Sequence, residues 1–282
     1  MPTNSGMLPP STVIGFIGAG NMAEAIVRGI LANGCVFPPQ VIMSDIRADA
    51  TNRLARELAI VPGYSNRQVL EEATVIVLAI KPQTLPQVLD ELREHAQSHH
   101  LFVSILAGTR IDRLEKGLAH ALCPKPRVVR AMPNTPALIR KGATAIAPGS
   151  QADEDDVAVA RTLFDAVGVT AILEERHMDA VTGLTGSGPA YIFRMIEALI
   201  EAGIEQGLPA EATTKLVKAM VAGAGAMAAE STETPATLRI RVTSPGGTTA
   251  AGLTHMENYR FNILVRGAVA AATRRSEELA QM

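Results

Sequence analysis

The sequence predicts an α/β fold, with a Rossmann-type doubly wound parallel sheet followed by an all-α dimerisation domain. Three observations support this prediction. From Val13 onward, short runs rich in β-branched residues alternate with helical stretches, which is typical of parallel βαβ units. A glycine-rich turn, Gly18-Ala19-Gly20, follows the first run and opens a helix. Beyond Leu173 the strand pattern stops, and the rest of the chain has the apolar spacing of helices.

The predicted strands are short and apolar. Val75–Ile80 (VIVLAI) is a continuous apolar run, as expected for a strand covered by helices on both faces. The strands are predicted at Val13–Gly18, Val41–Asp45, Val75–Ile80, Leu101–Leu106, Arg127–Met132, Ala143–Ala147 and Val169–Leu173.

Helices are predicted between and after these strands, bounded by glycine, asparagine and proline, which end helices or begin turns. They cover Asn21–Ala32, a stretch around Ala48–Leu58, Asp153–Val167, Pro189–Gln206, Ala210–Glu230, Thr237–Val242 and Ala250 onward. These elements divide the chain into a loose tail over residues 1–12, a dinucleotide-binding domain over 13–168 and a helical domain over 169–282.

The helical domain is expected to need a second copy. It is short and apolar, so that one chain offers too little surface to bury its helices. Met195, Leu199 and Ala202 are interpreted as core or subunit interface. The segment Ala219–Ala229 (AMVAGAGAMAA) consists almost entirely of small residues, which predicts a close contact between helices.

Composition excludes several classes of function. Of the 282 residues, 47% are hydrophobic and 19% charged, and the net charge is −2, as in ordinary globular proteins. No basic block predicts a nucleic-acid or membrane surface. The first ten residues, MPTNSGMLPP, lack a signal-peptide pattern, and no apolar run approaches the roughly 18–20 residues of a membrane span. Cys35 and Cys123 are interpreted as reduced thiols, so a cytoplasmic protein is expected.

No metal site is expected. Cys35 and Cys123 lack the spacing of metal ligands, and His95 and His99 have no third ligand at a useful spacing.

The turn after the first strand predicts nucleotide binding. Residues 18–23 read G-x-G-x-x-A between a strand and a helix. Gly18 permits the tight turn, Gly20 lets a pyrophosphate approach the backbone, and the small Ala23 lets helix and strand pack closely. The N-terminus of the helix adds free N–H groups and the positive end of its dipole.

Two residues after the second strand favour different nucleotides. Asp45 is placed to bind the ribose 2′-hydroxyl of NAD and to repel the 2′-phosphate of NADP. Arg47 is a permanently charged donor that suits that phosphate. The sequence leaves both NADPH and NADH open as the cofactor.

Five motifs occur in one order along the chain, and together they resemble the pyrroline-5-carboxylate reductase family. The motifs are GFIGAGNMA (Gly15–Ala23), LAIKPQ (Leu78–Gln83), MPNTP (Met132–Pro136), GLTGSGPAY (Gly183–Tyr191) and TSPGGTT (Thr243–Thr249). The resemblance implies hydride transfer from NAD(P)H to the C=N bond of 1-pyrroline-5-carboxylate, giving L-proline. It also implies an interlocked helical homodimer, often assembled into a larger ring, with a small-molecule substrate.

The resemblance implies binding residues at the matching positions of this chain. The implied cofactor contacts, together with Asp45, are Ile17, Gly18, Ala19, Gly20, Asn21, Met22, Asn66, Ala79, Ile80, Lys81, Pro82 and Ala107. The implied substrate contacts are Ser244, Gly246, Gly247, Thr248 and Thr249, with Thr249 as the catalytic residue beside the imine. Some relatives have a glutamate near the substrate where this chain has Thr232, so no carboxylate is assigned that role.

The TSPGGTT segment has a physical logic of its own. The substrate carries a carboxylate, and a Gly-Gly turn leading into a helix bares several backbone N–H groups for an anion. The helix dipole adds about 0.3–1 kcal/mol. A protonated cyclic imine accepts hydride without a strong side-chain acid, so catalysis is expected to depend mainly on positioning.

Three other functions would share parts of this sequence pattern. The β-hydroxyacid dehydrogenases share a similar glycine stretch, but their catalytic lysine corresponds to Ile192 here, which disfavours alcohol oxidation. A reductase of a related cyclic imino acid stays open, because one methylene is worth only about 1–3 kcal/mol in a pocket. A non-enzymatic NAD(P)-sensing dimer would not need the TSPGGTT loop.

Overall fold

The computed structural model describes residues 6–281. The predicted loose tail over residues 1–12 lies partly outside the described residues. From residue 8 it is attached to the protein, because Leu8 is buried and its N–H donates to the Cys35 carbonyl at 2.8 Å. The side chain of Gln40 donates to the carbonyl of Thr12 at 2.8 Å. These contacts attach the tail at Leu8 and Thr12, while Met7, Pro9, Pro10 and Ser11 stay exposed.

Eight strands form one sheet in the order β3-β2-β1-β4-β5-β6-β7-β8. They are β1 (Ile14–Ile17), β2 (Val41–Ser44), β3 (Val61–Pro62), β4 (Val75–Leu78), β5 (Leu101–Ser104), β6 (Arg127–Met132), β7 (Gly142–Pro148) and β8 (Gly168–Ile172). β1 to β6 are parallel, which confirms the doubly wound sheet. β7 runs antiparallel to β6 and β8 is parallel to β7, unlike the all-parallel pattern predicted.

Helices cover both faces of the sheet. They are α1 (Asn21–Ala32), α2 (Ala48–Leu58), α3 (Asn66–Glu72), α4 (Leu85–Arg93), α5 (Ile111–Leu118), α6 (Glu154–Asp165) and α7 (Met178–Val181). Short 3₁₀ helices occupy Pro38–Gln40, Pro82–Thr84, Thr135–Ile139 and Glu175–His177, and a π-helical turn spans Thr182–Gly186. Successive strand residues belong to different core clusters: Phe16 packs in one and Ile17 in the other, as alternation along a strand requires.

The remaining helices are α8 (Gly188–Glu205), α9 (Ala210–Glu230), α10 (Pro235–Arg241), α11 (Thr248–Asn258) and α12 (Phe261–Ala280). The single helix predicted from Ala250 onward is two helices. The helix is interrupted at Tyr259 and Arg260, and Arg260 has φ 56°. A residue with a side chain rarely adopts this left-handed conformation, and it ends the regular helix.

The chain forms two compact units. The sheet unit comprises the described residues of Met1–Ser187 and Ala272–Met282, and the helical unit is Gly188–Ala271. This division falls later than the predicted limit at residue 168, because β8 pairs with β7 and Met178 is buried in the sheet core. The end of α12 also belongs to the sheet unit.

The helical unit exposes much of its apolar surface. Within the described residues, α8 has no buried residue and α9 has only Thr213. Gly203 on α8 faces Thr213 so closely that a Cβ there would lie 2.5 Å from Thr213 Cγ2. The small-residue segment Ala219–Ala229 is largely exposed, so the close contact predicted for it is not made within one chain. An apolar surface of this kind marks a protein interface.

A buried histidine predicts acid sensitivity of the fold. His100 Nδ1 accepts from the Gln97 N–H and Nε2 lies 3.0 Å from the Leu70 carbonyl, an arrangement that suits the neutral ring. Burial, with the charge of His99, lowers the pKa of His100 to about 4. The unfolded chain takes up this proton near pH 6.5. Stability is therefore lost as the pH falls from 6.5 to 4, by up to about 1.4 kcal/mol per pH unit.

Urea unfolding between pH 7 and 4 measures this loss. His100→Gln should flatten the dependence of the unfolding free energy on pH, whereas His99→Gln, which removes only the smaller cause of the lowered pKa of His100, should reduce this dependence much less. An unchanged slope in His100→Gln would show that other groups cause the acid sensitivity.

Candidate active site

Gly18 lies where β1 turns into α1. Its φ of +103° favours glycine, and a Cβ there would lie 2.5 Å from the carbonyl oxygen of Ala79 at the end of β4. The Gly18 N–H donates to the Ser44 carbonyl at the end of β2, at 2.8 Å. The turn is thus enclosed by the two strands that neighbour β1, and a side chain at residue 18 would open it.

Gly20, in contrast, faces open space. A Cβ there would meet nothing within 4 Å. Gly20 caps α1 in an extended conformation without a side-chain cap, so the first N–H groups of the helix stay available. Ala23 is buried in the core below. This is the carboxyl edge of the sheet beside β1, where the strand order reverses and where nucleotides bind in such folds.

The carboxylate of Asp45 reaches back to the glycine turn. Oδ2 accepts from the Ala19 N–H at 2.7 Å, and Oδ1 accepts from the Arg47 N–H at 2.8 Å. The Arg47 guanidinium pairs with the same oxygen at 3.3 Å. Burial opposes ionisation, but the hydrogen bonds from Ala19 and Arg47 outweigh it and lower the pKa of Asp45. Asp45 is therefore a fixed negative charge beside the turn.

Asn66 lies at the start of α3, next to the same edge. Its Oδ1 accepts from the Ser44 hydroxyl at 2.8 Å, and its Nδ2 donates to Glu91 on α4 at 2.7 Å. The amide is thus oriented from both sides. The sequence analysis did not predict a role for Ser44 or Glu91. The hydroxyl of Ser44 at the end of the apolar strand β2 could have indicated one for that residue.

The segment after β4 contributes mainly backbone. The Ala79 N–H donates to the Ile17 carbonyl at 2.9 Å, and Pro82 begins a 3₁₀ helix whose turn is closed by Thr84 donating to the Lys81 carbonyl. The Lys81 side chain is exposed. Ala107, in the loop after β5, is half-buried. The structure thus brings the predicted cofactor contacts of the turn, Asp45 and the β4 end together at one edge of the sheet unit.

The TSPGGTT segment contains a tight turn. The Gly247 N–H donates to the Ser244 carbonyl at 3.0 Å, with proline next and Gly246 at φ +69° after it, the pattern of a type II turn. A Cβ on Gly247 would lie 2.4 Å from Ser244 Oγ. Gly246 is therefore needed for the shape of the turn, whereas a side chain at residue 247 would displace the Ser244 hydroxyl.

The turn leads directly into α11. This helix begins at Thr248, two residues earlier than predicted, with Gly247 as a cap that has no side chain. Thr248 and Thr249 are the first two helical residues, and both are exposed. Their backbone N–H groups have no partner within the helix. The predicted substrate residues thus belong to the helical unit, whereas the predicted nucleotide residues belong to the sheet unit.

Asn134 in MPNTP proves to be fully engaged. Its Oδ1 accepts from the Ala143 N–H at 2.9 Å and its Nδ2 donates to the Thr185 carbonyl at 3.0 Å. It joins the start of β7 to the π-helical turn of the GLTGSGPAY motif. We assign it a structural role.

The comparisons with known proteins follow the same division of the chain. A family model described as pyrroline-5-carboxylate reductase dimerisation matches residues 175–279, and one described as NADP oxidoreductase, coenzyme F420-dependent, matches residues 13–108. The pyrroline-5-carboxylate reductase of Arabidopsis thaliana is 39% identical over 269 residues, which cover 95% of each chain. This chain belongs to the pyrroline-5-carboxylate reductase family.

Solved structures agree with this membership. The pyrroline-5-carboxylate reductase of Coxiella burnetii is 36% identical, with a TM-score of 0.90 over 96% of this chain and 100% of that chain. The pyrroline carboxylate reductase of Plasmodium falciparum, solved with NADP bound, is 28% identical, with a TM-score of 0.82 over 98% of this chain and 100% of that chain.

Membership establishes the reaction. The chain is an NAD(P)H-dependent oxidoreductase that reduces the C=N bond of 1-pyrroline-5-carboxylate to give L-proline, the last step of proline synthesis. The match of residues 175–279 to the dimerisation model, with the exposed apolar surface of the helical unit, supports a homodimer.

Residues 6–281 contain no group of three or more histidine, cysteine or acidic residues that could hold a metal. None of the helices in that range is long and apolar enough to cross a membrane.

Proposed function

We propose that the turn before α11 holds the carboxylate of 1-pyrroline-5-carboxylate. The observation that carries this proposal is the type II turn at Ser244–Gly247, which opens a helix without a capping side chain. The N–H groups of Thr248 and Thr249 then remain for an anion, and the helix dipole attracts it. Ser244 and Thr248 add hydroxyl donors.

Thr249 is the proposed catalytic residue. Its hydroxyl forms a hydrogen bond with the ring nitrogen and orients the imine carbon. When bound, the nicotinamide would supply the hydride for that carbon, and with a proton from solvent on the nitrogen the C=N bond would become an amine. The hydroxyl pKa is too high for Thr249 to give up its proton fully, so it positions and polarises the bond.

The glycine turn is the proposed pyrophosphate site. The free N–H groups at the start of α1 bind the phosphates, and Gly20 leaves room for them. Residues 79–82, Asn66 and Ala107 contact the rest of the cofactor, as the family resemblance implies.

For the cofactor, we propose a preference for NADH. The N–H groups of Ala19 and Arg47 keep Asp45 ionised. The Asp45 carboxylate in turn partly neutralises the charge of the Arg47 guanidinium. A 2′-phosphate would meet this fixed negative charge, whereas a ribose hydroxyl donates to it.

The first experiment follows absorbance at the nicotinamide band with pyrroline-5-carboxylate, supplying NADH and NADPH in parallel. Oxidation of either cofactor is expected, faster with NADH at equal concentration. Faster oxidation of NADPH would contradict the proposed preference while leaving the reaction itself intact. Parallel assays with a six-membered cyclic imino acid test the alternative substrate. Family membership sets aside the non-enzymatic sensor.

Asp45→Ser tests the preference further. Removing a like charge beside the phosphate relieves roughly 1–4 kcal/mol, so the ratio of kcat/KM for NADPH over NADH should rise about 10-fold or more. Asp49→Ser removes an equal charge from the exposed first turn of α2 and serves as the control. An unchanged ratio in Asp45→Ser would assign the preference to other residues.

The proposed assembly is a homodimer through the helical unit, and the dimers are proposed to form a larger ring. Light scattering measures the mass of the assembly. The proposed compartment is the cytoplasm, since Cys35 and Cys123 are both buried and neither is in a disulfide.

A further inference from the structure

The loop between β5 and α5, residues 105–110, is held at both ends. Near its start, the Leu106 N–H donates to Ser104 Oγ at 3.3 Å. At its end, the Ile111 N–H donates to Glu175 Oε1 at 2.6 Å. This cofactor loop carries Ala107, one of the proposed cofactor contacts. Its position therefore depends partly on Glu175, a residue far away in the sequence.

Glu175 belongs to an ion cluster around a buried arginine. Arg130 on β6 is almost fully buried, beside Ser104 in the sheet register. Its Nη1 lies 3.3 Å from Glu175 Oε1 and its Nη2 lies 4.0 Å from Asp179 Oδ1. Within the described residues Nη2 has no hydrogen-bond partner. A buried guanidinium needs its carboxylates, because a lost partner leaves charge uncompensated.

The end of α12 joins the same cluster. Ser276 is 3% exposed, and its hydroxyl donates to Asp179 Oδ1 at 2.7 Å. Leu279, nearly one turn further on, packs against the cofactor loop: a Cβ on Gly108 would lie 3.1 Å from Leu279 Cβ. Gly108 has φ +66°, so the loop is held in a conformation that favours glycine there.

We propose that Ser276 and Leu279 are positioning residues for the cofactor. Leu279 supports the cofactor loop directly, and Ser276 acts through Asp179, Arg130 and Glu175. The C-terminal turn of α12 thereby fixes Ala107 where the cofactor meets it. This inference rests on the proposed role of Ala107 in cofactor binding.

The test is a fluorescence titration of NADH on the full-length protein, with thermal melting alongside. Ser276→Ala and Leu279→Ala should each raise the cofactor Kd about 3-fold to 30-fold, the range found for residues that act through a packed network. The KM for the imine and kcat at saturating cofactor should stay near those of the wild type. Hydrogen exchange of the 105–111 peptide should become faster, while Ser276→Thr, which keeps the hydroxyl, should restore affinity.

Glu277→Ala changes an exposed neighbour on the same helix and should leave the Kd unchanged. A lower melting temperature in both Ser276→Ala and Leu279→Ala with wild-type cofactor affinity would overturn the inference and leave the helix end a purely structural role. Normal NADH binding by an active Ala107→Leu enzyme would contradict the proposed role of Ala107, and with it the inference that rests on that role. Failure of the wild type to bind or oxidise either cofactor would instead overturn the proposed function.

Discussion

Thr249→Ala is expected to lower kcat about 10²-fold to 10⁴-fold, the range for groups that assist proton handling in a transition state. The hydroxyl is at the second residue of α11, exposed and next to the free N–H groups of the turn. Its loss removes the hydrogen bond to the ring nitrogen, while the backbone that holds the carboxylate remains. The KM for the imine should therefore change much less than kcat. Steady-state kinetics at saturating cofactor measure both quantities.

Thr254→Ala is the matched control for this substitution. Thr254 lies on the same helix, and its hydroxyl donates to the Ala250 carbonyl within the helix. It should keep normal turnover and a similar melting temperature. Near-normal activity of Thr249→Ala would remove this hydroxyl from the mechanism and leave catalysis to positioning by the backbone alone.

Gly20→Val should weaken cofactor binding about 10-fold or more, equivalent to at least roughly 1.4 kcal/mol. Its side chain would enter open space, because no protein atom lies within 4 Å of the Cβ position. That space is where the pyrophosphate approaches the backbone. The melting temperature should therefore stay near that of the wild type while the Kd rises. Fluorescence titration with NADH, with calorimetry on the same samples, measures both.

Gly18→Ala provides the contrast. Its Cβ would lie 2.5 Å from the Ala79 carbonyl oxygen, at a φ that side chains rarely adopt, so stability itself should fall by about 1–3 kcal/mol. Within one motif, Gly18 is thus required by the fold, and Gly20 is required by the ligand. A stable Gly20→Val protein with unchanged affinity would place the pyrophosphate elsewhere.

Local signals in the sequence predicted much of the secondary structure. The bounds of α1, α9 and β6 agree with the prediction, because apolar periodicity and capping residues act over a few positions. The short strand β3 and the helices α3, α4 and α5 were not predicted. β3 has only two residues, Val61 and Pro62, and it is a strand because it pairs with β2. No local pattern marks such an element.

The direction of the last strands also required the tertiary structure. β7 follows β6 after the short connection 133–141, whereas a parallel crossover needs a dozen or more residues. The connection could have predicted the antiparallel pairing, but apolar periodicity alone does not distinguish the two directions. The break at Arg260 depends on a left-handed conformation that the residue type did not indicate.

By itself, the sequence determined the family and the reaction, through the resemblance that five ordered motifs carry, and it predicted the two short segments of the proposed site. The two segments follow from local chemistry: a glycine turn between strand and helix, and a proline–glycine turn that opens a helix. Only the tertiary structure decided how Asp45 is bound to Ala19, how Ser44 and Glu91 orient Asn66, and how Ser276 reaches Arg130 through Asp179. These contacts join residues far apart in the chain, and their existence depends on the packing of whole elements against one another.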